Sequence, residues 1–117
     1  MKNNLTLHTG EGLYFIPIAD ILHLESSGSY TTVWTTKGEK ILVSHNLGYF
    51  EDIITDLETS SALTNAFFRI HQSHIVRIST VRQLLKLPDG DFAVLNNGVK
   101  IPVARRRREA FLAAMND

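Results

Sequence analysis

Apolar and polar residues alternate over short runs along most of this chain, which is the pattern of β-strands with one buried face. Strands are predicted over residues 5–8, 13–16, 21–26, 30–36, 40–43, 67–70, 81–87, 92–95 and 99–103. In the run 81–87, one face would hold Val81, Gln83, Leu85 and Leu87. Asn97-Gly98 favours a two-residue hairpin loop. Residues 71–74 are too polar to extend a strand and are predicted as a turn.

Two segments instead show apolar residues at the spacing of an α-helix. Over residues 45–58, apolar side chains recur at three- or four-residue spacing and form one stripe of Leu47, Phe50, Ile54 and Leu57. Ser44 or Asn46 can cap this helix. A terminal helix is predicted over residues 104–115, with Phe111, Leu112 and Met115 buried. A loop over residues 59–64 would follow the first helix.

The pattern as a whole predicts a mainly β fold, a sandwich or barrel with one internal helix and one C-terminal helix. The chain has 117 residues, enough for one modest core, so residues 1–117 are expected to form one domain. No internal repeat is apparent. No apolar run reaches the ~18 residues of a membrane span, and there is no cysteine. The expected location is the cytoplasm, with no membrane partner.

Charge is distributed unevenly along the chain, although the formal net charge is zero. Residues 1–59 hold three lysines and eight carboxylates, whereas residues 60–117 hold nine basic residues and four carboxylates. All seven arginines lie at or after Arg69. A basic half can attract a polyanion even in a neutral protein.

Evidence for catalysis or metal binding is weak. His71 and His74 have a spacing that metal ligands sometimes show, but no third ligand accompanies them. Ser73 lies in no nucleophile elbow, and the glycines form no phosphate-binding loop. We therefore expect no metal, no cofactor and no enzymatic activity.

Side chains suited to DNA occur in three polar loops, near residues 26–30, 69–77 and 104–108. Gln72 on an exposed turn could pair with an adenine edge, and Arg69 and Arg77 flank it. Arg105 begins the last helix, where backbone N–H groups also favour phosphate. Taken singly, Gln72 is a solvated turn residue and the arginines are a solvated basic face. Three such loops in one chain favour contacts with a nucleic acid.

Tyr30 follows the turn near residue 28 and shares a strand face with Trp34. Two aromatic side chains in this arrangement belong to a core more often than they contact bases. Tyr30 is nevertheless a candidate because it stands at the loop end of its strand.

Three motifs occur in a characteristic order: Ile21-Leu22-His23-Leu24-Glu25-Ser26-Ser27-Gly28-Ser29-Tyr30, then Phe68-Arg69-Ile70-His71-Gln72-Ser73-His74-Ile75-Val76, then Asn97-Gly98 with Ile101-Pro102-Val103-Ala104-Arg105-Arg106. Together they resemble the LytTR DNA-binding domain, the C-terminal output domain of bacterial response regulators. The resemblance covers about residues 5–115. It implies an elongated, multi-sheet β domain of about ten strands whose loops enter successive major grooves. It also implies that two copies bind direct repeats and bend the DNA.

The resemblance assigns roles to individual residues. Positions that contact bases match or lie near Tyr30, Gln72 and Arg105. Positions that contact the DNA backbone or shape the loop match Arg69 and Ser73. By charge and position, the further contacts expected with the DNA backbone are those of Arg77, Arg106 and Arg108. Ala104 replaces a serine usual in the family, and Gln72, His74 and Arg77 also replace commoner residues, so the target sequence is open.

The leading hypothesis is a domain of a bacterial transcription regulator that binds double-stranded DNA. It would act in a two-component phosphorelay, with a receiver domain or a sensor kinase as partner if the chain belongs to a longer regulator. Residues 1–20 already belong to the β-domain, so no receiver domain is expected within the chain. The lack of a long apolar stripe favours a monomer that pairs on DNA. The alternative is a non-enzymatic β-sandwich module for protein interaction or sensing, whose basic loops meet an acidic partner.

Overall fold

The computed structural model describes residues 4–59 and 66–116. Over these residues the chain forms ten strands and two α-helices, in the order β1 (Asn4–Thr9), β2 (Gly12–Pro17), β3 (Ile21–Ser27), β4 (Tyr30–Thr35), β5 (Lys40–Val43), α1 (Leu47–Thr59), β6 (Phe67–His71), β7 (His74–Arg77), β8 (Val81–Leu87), β9 (Gly90–Leu95), β10 (Lys100–Val103) and α2 (Arg108–Met115). The prediction of a mainly β fold with an internal and a C-terminal helix is confirmed.

The strands form three antiparallel sheets. The central sheet has the strand order β5-β4-β3-β7-β6, and it is accompanied by the hairpin β1-β2 and by the sheet β10-β9-β8. The molecule is elongated, with extents of 42 × 30 × 24 Å. The predicted elongated, multi-sheet architecture is therefore also correct.

The central sheet separates two hydrophobic clusters, because neighbouring residues of its strands point to opposite faces. On β7, Ile75 belongs to the first cluster and Val76 to the second, and on β3 the neighbours Ile21 and Leu22 divide in the same way. The first cluster also contains apolar residues of β1 and α1, and the second contains residues of β9, β10 and α2. The molecule is thus layered, with one core on each side of the central sheet.

The two halves of the chain share one order of elements, which corrects the expectation of no internal repeat. Each half has a hairpin, a short 3-10 turn, three antiparallel strands and a helix. Corresponding hydrogen bonds recur at a constant offset in residue number: the Thr36 amide donates to the Asp20 carbonyl (2.7 Å), and the Asn96 amide donates to the Thr80 carbonyl (2.8 Å). The repeat is faint in sequence because β3 is covered on both faces, whereas its counterpart β8 packs against the second cluster alone.

A short sequence signal of the repeat does exist. The β4–β5 and β9–β10 hairpins share the pattern Gly-x-Lys-Ile-x-Val, found at Gly38–Val43 and Gly98–Val103. Both glycines have positive φ, +85° and +88°. The Gly98 amide donates to the Leu95 carbonyl and the Leu95 amide donates to the Val99 carbonyl, which makes a turn followed by a bulge. The prediction of a two-residue Asn97-Gly98 loop was therefore too short.

Strand β7 is the element that the sequence pattern missed. The turn predicted over residues 71–74 is limited to Gln72 and Ser73, and His71 pairs with His74 across it. The alternation of apolar and polar residues fails in β7 because this strand is buried on both faces. The side chains of Ile75 and Val76 are 2% and 0% exposed.

The predicted face of the run 81–87 was wrong in part. A β-bulge interrupts the pairing of β8 with β9 between Val81 and Gln83. Because a bulge adds one residue to a strand, the side chains beyond it change face. Val81 and Leu84 consequently pack against the second cluster, while Gln83 and Leu87 are exposed.

Both predicted helices form, with shifts at their first turns. The Asn46 side chain accepts a hydrogen bond from the Tyr49 amide (2.9 Å) and caps α1. The loop predicted over residues 59–64 lies outside the described residues, except that Thr59 ends α1. Ahead of α2, residues Arg105–Arg107 form a 3-10 turn, and the preceding Ala104 supplies no side-chain cap. Phe111 is buried, and Leu112 and Met115 pack against the second cluster as predicted.

His23 is buried on β3 between the central sheet and the sheet β10-β9-β8 and is only 3% exposed. Its ring stacks on Trp34, with 5.6 Å between centroids, and lies 6.4 Å from His74. These residues line a pocket of about 240 Å³ together with Glu25 and Lys100. Burial lowers the pKa of His23 to about 4, and the neighbouring His74 adds to the shift.

Stability should therefore fall as the pH is lowered. Unfolded His23 takes up a proton near pH 6.5, whereas folded His23 resists protonation until about pH 4, so the unfolded state binds more protons between these values. The free energy of unfolding should decrease progressively over this window, by about 3 kcal/mol at its lower end. Urea unfolding at pH 7, 6 and 5 measures the slope. His23→Phe keeps a ring against Trp34 and should flatten the slope; an unchanged slope would contradict this assignment.

Candidate nucleic-acid interface

Backbone hydrogen bonds join the three polar loops into one surface. The turn between β6 and β7 holds Gln72 and Ser73, and the Ser73 carbonyl accepts from the Ser26 amide at the end of β3 (2.9 Å). On the other side, the Ala104 amide donates to the Ile70 carbonyl (3.0 Å). Segments that are far apart in sequence thus meet at the β6–β7 turn.

The β6–β7 turn presents Gln72 to solvent and fixes the backbone beneath it. The Ser73 amide donates to His71 Nδ1 (3.0 Å). His71 Nδ1 must be unprotonated to accept this bond. The side chain of Gln72 is exposed, so its amide group is free to meet a ligand.

Arg69 lies beside this turn and binds its carbonyl groups. Its Nε donates to the His71 carbonyl (3.1 Å), and its Nη2 donates to the Gln72 carbonyl (2.5 Å). The remaining Nη1 donates to Glu51 Oε1 on α1 (2.7 Å). The guanidinium of Arg69 is thus committed to shaping the turn.

The four arginines after Ala104 divide into two pairs. Arg105 and Arg106 are exposed, and the side chain of neither makes a hydrogen bond or ion pair with another described residue. Arg107 Nη1 donates to the Arg69 carbonyl (3.3 Å), and Arg108 Nε pairs with Asp91 Oδ2 (2.6 Å). The first pair projects free charge at the surface, and the second ties the 3-10 turn to β6 and β9.

Tyr30 and Trp34 have different surroundings although both belong to β4. Tyr30 is the first residue of the strand and is 46% exposed, whereas Trp34 packs against the second cluster. Gly28 in the preceding turn has φ +63°, a conformation that glycine adopts without strain. Tyr30 therefore stands at the surface beside the loop that meets Ser73.

Arg77 lies apart from the other candidates, at the end of β7 opposite the Gln72 turn. Its guanidinium donates to the carbonyls of Ile21 (2.5 Å) and Ala19 (2.9 Å) and to Ser79 Oγ (2.5 Å). Desolvation lowers the pKa of Arg77, and Asp20 partly opposes that shift. The structure brings Tyr30, Arg69, Gln72, Ser73 and the arginines before α2 into one region, but it does not bring Arg77 there.

Sequence reasoning missed the residues that support the loops from within. Glu51 reaches Arg69 from a different element, and no local pattern connects the two. Arg107 and Asp91 were likewise not singled out, although both hold the segment that carries Arg105. The described residues contain no group of three or more histidines or carboxylates that could hold a metal ion. No helix within residues 4–59 and 66–116 is long and apolar enough to cross a membrane.

Fold and surface together define a mainly β domain that presents arginine-bearing loops. The family model of the LytTr DNA-binding domain matches residues 11–116, so the chain belongs to this family of DNA-binding domains.

Among the known proteins similar to this chain are one solved structure and one transcriptional regulator. A LytTr DNA-binding domain of a putative methyl-accepting/DNA response regulator from Bacillus cereus has the same fold, with a TM-score of 0.78, 20% identity and 100% coverage of both chains. The heme-containing CO-sensing transcriptional regulator RcoM 2 of Paraburkholderia xenovorans (strain LB400) is 31% identical over 94 residues. The match covers 79% of this chain but only 32% of that regulator.

Arg77→Ala should destabilise the protein, because it leaves the Ala19 and Ile21 carbonyls without their charged donor. Hydrogen bonds to charged groups contribute about 1.5–3 kcal/mol each, so we expect a loss of about 2–3 kcal/mol in the free energy of unfolding. Arg82→Ala, at an exposed position of β8, is the matched control and should change it by less than about 0.5 kcal/mol. Equal denaturant midpoints for the two variants would show that Arg77 does not support the fold.

Proposed function

We propose that this chain is the sequence-specific, double-stranded DNA-binding domain of a bacterial transcriptional regulator, acting in the cytoplasm. Residues 1–117 would form one such domain. The observation that carries the proposal is the hydrogen-bonded assembly of the three loops around the Gln72 turn, with Arg105 and Arg106 exposed beside it. An exposed arginine can neutralise phosphate or bind guanine without first breaking an internal ion pair.

Gln72, Arg105 and Tyr30 are the proposed base-contacting residues. The carboxamide of Gln72 can bind adenine N6 and N7, and the guanidinium of Arg105 can bind guanine O6 and N7. Tyr30 can contribute its ring or hydroxyl from the neighbouring loop. Their placement on a turn, a 3-10 turn and a strand end leaves each side chain exposed, as an entry into a groove requires.

The DNA backbone would be held by a second set of residues. Arg106 and the Ser73 hydroxyl are the simplest candidates, because neither side chain is engaged with another described residue. Arg108, Arg69 and Arg77 remain proposed backbone contacts, but each would share its guanidinium between phosphate and the internal partners described above. For Arg69, the internal bonds favour a loop-shaping role.

The similar proteins support a proposal about the wider context of this domain. Relatives that are response regulators and sensory transcription regulators suggest that this domain serves as an output module in a longer regulator or a two-component phosphorelay. We propose that it is monomeric alone and that two copies pair on direct repeats. A protein-binding module is the alternative, and the 53% and 63% exposure of Leu13 and Phe15 on β2 favours some protein contact. Leu13 and Phe15 belong to the acidic first half of the sequence, whereas the arginines belong to the second half. A protein contact at β2 would therefore accompany DNA binding rather than replace it.

DNA binding should be both specific and strongly dependent on salt. If each domain neutralises about 4–6 phosphates, log K should fall with log salt concentration with a slope of about −4 to −5. Selection from random duplexes should yield a sequence motif occurring as two direct copies, and titrations on that duplex and on a scrambled one measure affinity and slope. A flat salt dependence, or equal affinity for both duplexes, would refute the proposal.

Mutations should distinguish the residues that contact bases from those that contact the DNA backbone. Arg105→Ala and Gln72→Ala should each cost ~1–3 kcal/mol on the selected site and little on scrambled DNA, because they remove base contacts. Arg106→Ala should weaken both complexes about equally and flatten the salt slope by about one unit. Measurements at two salt concentrations distinguish these outcomes. If Arg105→Ala and Gln72→Ala leave the ratio of the two affinities unchanged, these residues do not read bases.

A further inference from the structure

Glu51 on α1 is an acidic residue that pairs with an arginine of the candidate nucleic-acid interface. Its carboxylate lies 2.7 Å from Arg69 Nη1, and the two side chains are 47% and 19% exposed. The carboxylate meets the end of the guanidinium that is not bound to the turn. Arg69 therefore bridges helix α1 and the carbonyls of His71 and Gln72.

The same region links the Gln72 turn to the segment that carries Arg105. Glu51, Arg69 and Arg107 line one pocket of about 240 Å³, together with Glu58 near the end of α1. Arg107 donates to the carbonyl of Arg69, so one cluster of charges underlies both the β6–β7 turn and the 3-10 turn. Glu51 pairs with Arg69, and Arg107 binds the Arg69 carbonyl, so the supports of the two turns meet at Arg69.

We propose that Glu51 is a positioning residue for sequence reading: by orienting the Arg69 guanidinium, it sets the backbone of the β6–β7 turn and thus the position of Gln72. This inference rests on the proposed function of Gln72 as a base reader. Arginine suits the role because its planar guanidinium donates in fixed directions to several acceptors at once. Glu51 acts through Arg69 and touches no base.

If Glu51 acted on DNA only through its charge, removing it would change the affinity in the opposite direction from the one that a positioning role predicts. A carboxylate near a DNA-binding surface repels phosphate, so deleting its charge should strengthen binding to any duplex. A positioning role predicts that deletion weakens binding to the selected site and leaves binding to scrambled DNA equal or stronger. The sign of the change on the selected site therefore separates the two explanations.

The test compares Glu51→Ala with Asp52→Ala. Asp52 is the adjacent, exposed carboxylate of α1, so both variants lose one negative charge from the same helix. We expect Glu51→Ala to lower the ratio of selected-site to scrambled-site affinity about fivefold or more, by misplacing one base contact. Asp52→Ala should leave the ratio unchanged, and Glu51→Gln, which keeps an acceptor for Nη1, should retain most of it. Equal ratios for Glu51→Ala and Asp52→Ala would overturn the proposal.

A double-mutant cycle locates the effect. If Glu51 acts through the Gln72 turn, Glu51→Ala should cause no further loss of the ratio in a Gln72→Ala background. A full additional loss would overturn the proposal. Thermal unfolding of each variant checks that the fold is retained, which is expected because partly exposed ion pairs contribute little to stability.

A measurement without DNA keeps this inference distinct from the proposed function. The backbone amide resonances of Gln72 and Ser73 in the free protein should shift in Glu51→Ala and stay in place in Asp52→Ala. Unchanged resonances in both would overturn the positioning role, whatever the DNA measurements give. If the resonances shift but Gln72→Ala leaves specificity intact, the positioning of the turn stands and the base-reading role of Gln72 fails.

Discussion

The pairing of β7 with β3 is the interaction on which the rest of this structure depends. It joins a strand of the second half of the chain to a strand of the first, with Leu24 opposite Ile75 and Glu25 opposite His74. Because both strands are buried on both faces, the pairing also fixes the two hydrophobic clusters on either side of the sheet. The same register brings the Ser73 carbonyl to the Ser26 amide. The register of this one strand pair therefore fixes both the core and the meeting of two polar loops.

Arginine serves two purposes in this molecule, and the internal acceptors decide which. Arg69, Arg77, Arg107 and Arg108 donate to backbone carbonyls or carboxylates and hold turns in place. Arg105 and Arg106, whose side chains have no such acceptor among the described residues, are exposed at the surface. The four arginines at 105–108 form one run in sequence, but two of them support the fold and two are exposed. The division lets a protein of zero formal net charge present a concentrated positive loop.

The two structural halves use equivalent elements differently. In the first half, Asn46 caps the helix that follows the third strand, and α1 begins as an ordinary α-helix. In the second half, Ala104 offers no cap, a 3-10 turn intervenes, and the arginines occupy the exposed start of the segment. A helix start without a side-chain cap has backbone N–H groups available for an anion. The acidic first half in turn supplies Glu51, which supports the basic turn of the second.

The sequence by itself determined most of the strands, both helices, the two candidate caps of α1, Ser44 and Asn46, and the family resemblance that pointed to the three loops. These features depend on short-range periodicity and local side-chain chemistry, which can be recognised from residues close together in the sequence. The tertiary structure alone decided that β7 is a strand, that β8 changes face at a bulge and that the two halves repeat one plan. It also decided that Arg77 and Arg108 bind internal acceptors and that Glu51 meets Arg69. A strand buried on both faces loses its alternation, and the partner of a guanidinium depends on which distant backbone or carboxylate the fold brings near, so neither could be read from neighbouring residues.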